Sequence, residues 1–151
     1  IYTYRLTDRY IHMNTNLDQM TSRCPGSVSL GRWDLANHRL VFRGPADVEY
    51  SPGDIVQCVL WDITKECERS LDRLEGYPSF YGKKYVPVTF HGMKHRAMIY
   101  TMNDQDGYYT PSNSYVWLLE EGYKAHGLDL DQIYSANGYQ EIAITRRTVY
   151  N

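Results

Sequence analysis

The segment Leu71-Asp72-Arg73-Leu74-Glu75-Gly76-Tyr77-Pro78-Ser79-Phe80-Tyr81 sets one carboxylate, Glu75, between the end of an expected helix and the start of an expected strand, among aromatic rings. A carboxylate in a partly dry turn has its charged form disfavoured. Its pKa then climbs toward neutrality, where a proton can be taken and returned within one cycle. An ordinary glutamate titrates near about 4.3, too low for an efficient base at neutral pH. Tyr77, Phe80 and Tyr81 are placed to supply the apolar wall that raises it. The bland alternative is a helix-end carboxylate that caps or forms a surface ion pair.

Other residues with chemical potential are weaker candidates. His12, at the end of an expected strand, has a side chain able to donate or to titrate near neutral pH, but a histidine there is more often structural. His91 and His95 are spaced i, i+4, which brings two ligands together only on a helix. Their segment reads as a hairpin and a third ligand is missing, so no metal is expected. Cys24, Cys58 and Cys67 match no zinc spacing and cannot all pair. Cys58, flanked by Val59 and Leu60, reads as a small core residue.

The elements that must position these groups follow from periodicity and punctuation. Tyr10 to Met13 reads as a short strand, followed by a short helix at Asn16 to Met20 with Asn16 as its cap, ended by Cys24-Pro25-Gly26. Ser27 to Leu30, His38 to Arg43, Asp47 to Tyr50 and Asp54 to Asp62 have strand composition, divided by turn signals at Gly31, Gly44-Pro45 and Ser51-Pro52-Gly53. Thr64 opens a helix in which Cys67, Leu71 and Leu74 share one face. Lys84 to Phe90 and Arg96 to Met102 form an expected hairpin turning at His91-Gly92, with Met98, Tyr100 and Met102 on one side of its second strand. Pro111-Ser112 opens a longer helix to Lys124, closed by Gly127, and Asp129 to Asn137 is a shorter helical candidate. The fold class is therefore α+β, a small mixed β-barrel or curled sheet with flanking helices.

Composition bounds the rest. The 151 residues, 42% hydrophobic and 23% charged, suit a single domain over 1–151 with a core from about 10 to 138 and a short C-terminal tail. A net charge of -2 without long like-charge runs offers no footprint for nucleic acid. No apolar run approaches the roughly 20 residues that span a bilayer, and no signal-peptide pattern opens the sequence. Cysteine usage favours a reducing, cytoplasmic setting. The 15 tyrosines point to strand faces and pocket rims rather than to a stacking platform. The oligomeric state is left open.

Taken in order, Asn16-Leu17-Asp18-Gln19-Met20 with Arg23-Cys24-Pro25, Leu40-Val41-Phe42, Val56 to Trp61, Leu71 to Gly76, Ala97 to Met102 and Pro111 to Tyr115 resemble the gamma-glutamylcyclotransferase-like family from about Tyr10 to Gly127. That resemblance implies a small mixed α/β barrel whose cavity holds a γ-glutamyl group. It also implies release of 5-oxoproline from γ-glutamyl amides, with a glutamate at the position of Glu75 moving the proton and no cofactor or metal. The family's Tyr-Gly-Ser-Asn loop after the first strand falls on Ile11-His12-Met13-Asn14, which keeps only the asparagine. His12, Met13 and Asn14 thus become expected substrate-binding residues, and Tyr81, Tyr100 and Tyr115 correspond to aromatic positions around the cavity. His12 and Met13 would fill space that glycine and serine leave open and tilt backbone amides away from a developing oxyanion.

Two functions compete. One is a cofactor-independent enzyme cleaving a γ-glutamyl amide or related aminoacyl conjugate, with Glu75 as general base and then acid. The other is a non-catalytic cavity protein that sequesters a small metabolite or nucleotide. The glutamate favours the enzyme, and the altered loop favours binding alone.

Overall fold

The computed structural model describes the backbone of residues 9–13 and, in full, residues 20 and 22–138. Asn14, the expected cap Asn16 and the tail beyond residue 138 lie outside the described residues. The elements are β1 (Arg9–Met13), β2 (Val28–Phe42), β3 (Ala46–Thr64), α1 (Lys65–Glu75), β4 (Tyr81–Phe90), β5 (Met93–Met102), α2 (Asn113–His126) and a last helix, α3, over 131–138. The fold is α+β.

The strands hydrogen-bond in the order β2-β3-β1-β5-β4. β1 runs antiparallel to β3, with His12 opposite Trp61 and Met13 opposite Leu60, and parallel to β5, with His12 beside Met98. Among the described residues β2 and β4 remain the two edges, so of the two expected forms, barrel or curled sheet, the barrel does not close.

Two strand assignments differ from expectation for one physical reason. Gly31 and the Ser51-Pro52-Gly53 run read as turns, yet β2 and β3 continue through them. Gly31 and Gly53 have φ of +89° and +85°. A glycine with positive φ can bend and twist a strand without ending it. The Gly53 N–H donates to Asn37 Oδ1 at 3.0 Å, tying β3 to β2 there. At His91-Gly92 the expected turn is present, with φ of 48° and 75°. Two consecutive positive values suit the right-handed twist of flanking strands, and Phe90 pairs directly with Met93.

The described residues form two compact units. The first comprises Ile1–Trp33 with Cys58–Asp104, the second Asp34–Gln57 with Gln105–Asn151. In the first, the continuous apolar run Val59-Leu60-Trp61 is buried together with Ile63, Leu71, Ala97 and Met98. Such a run is what a strand covered on both faces requires. In the second, Phe42, Leu119, Tyr123 and Ile133 are buried. There Arg43, 5% exposed, donates to Asp47 Oδ2 (3.0 Å), Glu49 Oε2 (2.8 Å) and the carbonyls of Gln105 and Gly107 (2.8 Å each). That network fixes the 105–107 loop against the start of β3.

Helix ends are set by capping chemistry. Thr64 Oγ1 accepts from the Cys67 N–H at 3.1 Å and Ser112 Oγ from the Tyr115 N–H at 3.2 Å, each satisfying an orphan donor worth about 1 kcal/mol. Gly76 and Gly127 close α1 and α2 in the left-handed conformation.

Candidate functional site

Glu75 is the last residue of α1 rather than a residue of the following turn. Gly76 ends the helix at φ +67°, and the Tyr77 N–H returns to the Asp72 carbonyl at 2.9 Å. This fixes the direction of the chain as it leaves Glu75. The Phe80 N–H donates to the Gly76 carbonyl at 2.8 Å, and Asn103 Nδ2 donates to the carbonyls of Pro78 (2.7 Å) and Ser79 (3.0 Å). Asn103 approaches so closely that a Cβ on Gly82 would lie 2.8 Å from its Oδ1, so a side chain at residue 82 would have to displace that amide. The 76–80 turn is held from both ends.

Only Tyr81 of the three expected wall residues is buried, at 6% exposure, while Tyr77 and Phe80 are 40% and 52% exposed. Leu74, expected on the inward face of α1, is 38% exposed, because the buried stripe of this helix stops at Cys67 and Leu71. Two of the three expected wall rings therefore stand open to solvent.

The α1 face carrying Glu75 also carries Glu68 and Asp72, each three or four residues apart. Opposite it, the β4/β5 register aligns Tyr81 with Met102, Lys83 with Tyr100, and Tyr85 with Met98. Strand alternation therefore puts Tyr81, Lys83 and Tyr85 on one face with Met98, Tyr100 and Met102. Lys83 Nζ bridges Glu68 Oε1 (2.8 Å) and Asp72 Oδ1 (2.9 Å) and lies 4.2 Å from the centre of the Tyr77 ring. The Tyr100 hydroxyl donates to Asp72 Oδ1 at 2.6 Å.

The charges sort themselves accordingly. Burial alone would lower the Lys83 pKa, but its hydrogen bonds and attraction to Glu68 and Asp72 raise it, so it stays an ammonium. Tyr100 is pushed far above the ordinary phenol range by burial, by its bond to Asp72 and by the nearby charges of Asp72, Glu68 and Glu75. Glu75 is half-buried, and burial raises its carboxyl above the usual value. Among the described residues no side chain hydrogen-bonds or ion-pairs with it. A carboxylate that is partly desolvated yet uncommitted has the character a proton-transfer group needs.

The remaining expected residues fall as follows. His12 and Met13 lie in β1, in register with Trp61 and Leu60 of β3. Tyr81 and Tyr100 share the Lys83 face of the first unit. Tyr115 belongs to the second unit, where its hydroxyl accepts from the Ala46 N–H at 2.9 Å and its ring meets Phe42 edge-on at 6.5 Å. His91 sits in the hairpin turn and His95 is buried in β5. Among the described residues no three His, Cys, Asp or Glu side chains are grouped to hold a metal, and no helix is long and apolar enough to cross a membrane. All three cysteines are buried thiols, and burial together with Cys67 pushes Cys24 up to about 12.

Lys83 and its acidic partners were not singled out from sequence. The signals available were the Glu68–Asp72 spacing of four on one helix and the alternation Tyr81, Lys83, Tyr85 on one strand. Neither reveals by itself that the two faces meet.

No curated protein matches the chain significantly by sequence. Among solved structures, the uncharacterized protein loc79017 from Homo sapiens superposes with a TM-score of 0.70 at 25% identity, over 89% of this chain and 85% of that one. A structure described as gamma-glutamyl cyclotransferase gives 0.68 at 24% identity, over 88% and 85% of the respective chains. YkqA from Bacillus subtilis gives 0.70 at 15% identity, over 89% of this chain but only 55% of its own length. Residues 11–121 match the family described as "Gamma-glutamyl cyclotransferase, AIG2-like", and a match over most of the chain makes this protein a member of that family.

Proposed function

We propose that this protein cleaves a γ-glutamyl amide by attack of the substrate's own α-amine on its γ-carbonyl. The new C–N bond closes 5-oxoproline, the old C–N bond breaks, and the amine departs. The α-ammonium must first give up a proton and the departing nitrogen must gain one. Glu75 is the group assigned to both transfers, accepting from the first nitrogen and donating to the second. The observation that carries this reading is the half-buried carboxylate of Glu75, raised by desolvation and without a partner among the described residues, in a chain of this family.

Lys83, Asp72 and Tyr100 act around it by charge and position. Lys83 offsets the two acids beside Glu75, so Glu75 is raised mainly by loss of water. In this reading Tyr81 and Tyr100, on the Lys83 face of the first unit, border the γ-glutamyl group. No cofactor takes part, and the setting is cytoplasmic.

The test is incubation with a panel of γ-glutamyl amides and detection of 5-oxoproline. Glu75→Gln keeps the shape and removes the proton carrier, so the rate should fall on the order of 10²- to 10⁴-fold. Undiminished turnover in that variant would remove Glu75 from the mechanism. The replacement of the family's Gly-Ser pair by His12-Met13 supports a second reading, sequestration without turnover. In that case native mass spectrometry should find an unaltered ligand bound at one-to-one ratio.

A further inference from the structure

We propose that Tyr77 and Phe80 form an aromatic seat for the departing half of the substrate, so that the preferred amide carries an aryl or bulky apolar group on its nitrogen. This rests on the assignment of Glu75 above. If Glu75 hands a proton to the leaving nitrogen, that nitrogen lies within hydrogen-bond reach of the carboxylate, and its substituent emerges across whatever borders Glu75 on the solvent side.

Along the chain Glu75 is preceded by Leu74 and followed, after Gly76, by Tyr77, and the turn brings the Phe80 N–H back to the Gly76 carbonyl at 2.8 Å; the side chains of Leu74, Tyr77 and Phe80 are exposed, at 38%, 40% and 52%. Large apolar side chains standing out beside a half-buried carboxylate are costly to hydrate, and covering them with an apolar group is favourable. The two rings are also held. Lys83 Nζ sits 4.2 Å from the centre of the Tyr77 ring, and Phe80 meets the buried ring of Tyr81 edge-on at 5.3 Å. A Cβ on Gly76 would come within 3.2 Å of Phe80 Cβ, so the root of the Phe80 side chain lies against the residue that follows Glu75. With Asn103 fixing the carbonyls of Pro78 and Ser79, the seat is ordered before a ligand arrives, which lowers the entropy lost on binding.

The experiment compares kcat/KM for γ-glutamylbenzylamide and γ-glutamylmethylamide, which share charge and reacting atoms and differ in one ring. The benzyl amide should be favoured on the order of tenfold or more. Phe80→Ala should bring that ratio toward one, and Phe80→Leu, which keeps an apolar side chain, should retain most of it. Circular dichroism checks that both variants fold, as expected for an exposed position. A ratio near one in the parent, or a ratio untouched by Phe80→Ala, overturns the inference while leaving Glu75 in place. Absence of 5-oxoproline from both amides overturns the cyclotransferase reading and this inference with it.

Discussion

The Tyr100 hydroxyl donates to Asp72 Oδ1 across 2.6 Å, joining the second strand of the β4/β5 hairpin to the α1 face that carries Glu75. Asp72 also receives Lys83, so one carboxylate ties a helix to two strands. Glu75 gains its position from this tie without forming a bond of its own among the described residues.

Removing the phenol hydroxyl tests that tie. Tyr100→Phe deletes one hydrogen bond to a charged acceptor while Lys83 continues to neutralise Asp72, so destabilisation of about 1.5 to 3 kcal/mol is expected, read from the midpoint of urea unfolding. A change within about 0.5 kcal/mol would mean that the hydroxyl exchanges freely with water.

The raised carboxyl of Glu75 has a signed consequence for stability. Below the unfolded-state value of about 4.3 both states hold the proton and nothing is lost. As pH rises between the unfolded and the raised folded value, the folded state retains a proton that the unfolded state releases, so stability falls. Above the folded value the loss is complete and constant. Glu75→Gln should therefore be more stable than the parent at pH 7, with the difference disappearing toward pH 4, measured as unfolding midpoints across that range. A variant less stable than the parent at neutral pH would show that the carboxylate is favourably paired.

In the second unit, the Arg43 and Asp47 side chains are 3% and 0% exposed. Arg43→Met leaves Asp47 as a buried charge facing an apolar side chain, with an expected cost of about 3 to 5 kcal/mol in denaturant unfolding. Adding Asp47→Asn should recover part of it. A double variant no more stable than the single one would locate the loss in the carbonyl contacts of Gln105 and Gly107 instead.

What could be read from sequence was what is decided locally. Thr64, Ser112, Gly76 and Gly127 announce helix ends because caps depend on one residue and its neighbours within the chain. The His91-Gly92 turn was legible for the same reason. Gly31 and Gly53 misled because positive φ serves a turn and a bent strand equally well, and only the partner strand decides between them. Barrel and curled sheet could not be told apart from sequence because closure depends on whether the edge strands meet, and among the described residues β2 and β4 do not pair. Glu75 stood out by type and context. Lys83 did not, because its significance depends on Glu68 and Asp72, 15 and 11 residues away in sequence, arriving from a helix. The exposure of Tyr77, Phe80 and Leu74 was equally hidden, since an aromatic cluster in sequence reads as core unless the packing is seen.

The most direct test of the central claim is the pH dependence of kcat/KM for 5-oxoproline release from a γ-glutamyl amide, in the parent and in Glu75→Gln. With Glu75 as the base, the parent's rate should rise with pH through a single ionisation above the ordinary glutamate value, and that limb should vanish in the variant along with most of the rate. An unchanged acid limb in Glu75→Gln, or turnover equal to the parent's, would contradict it.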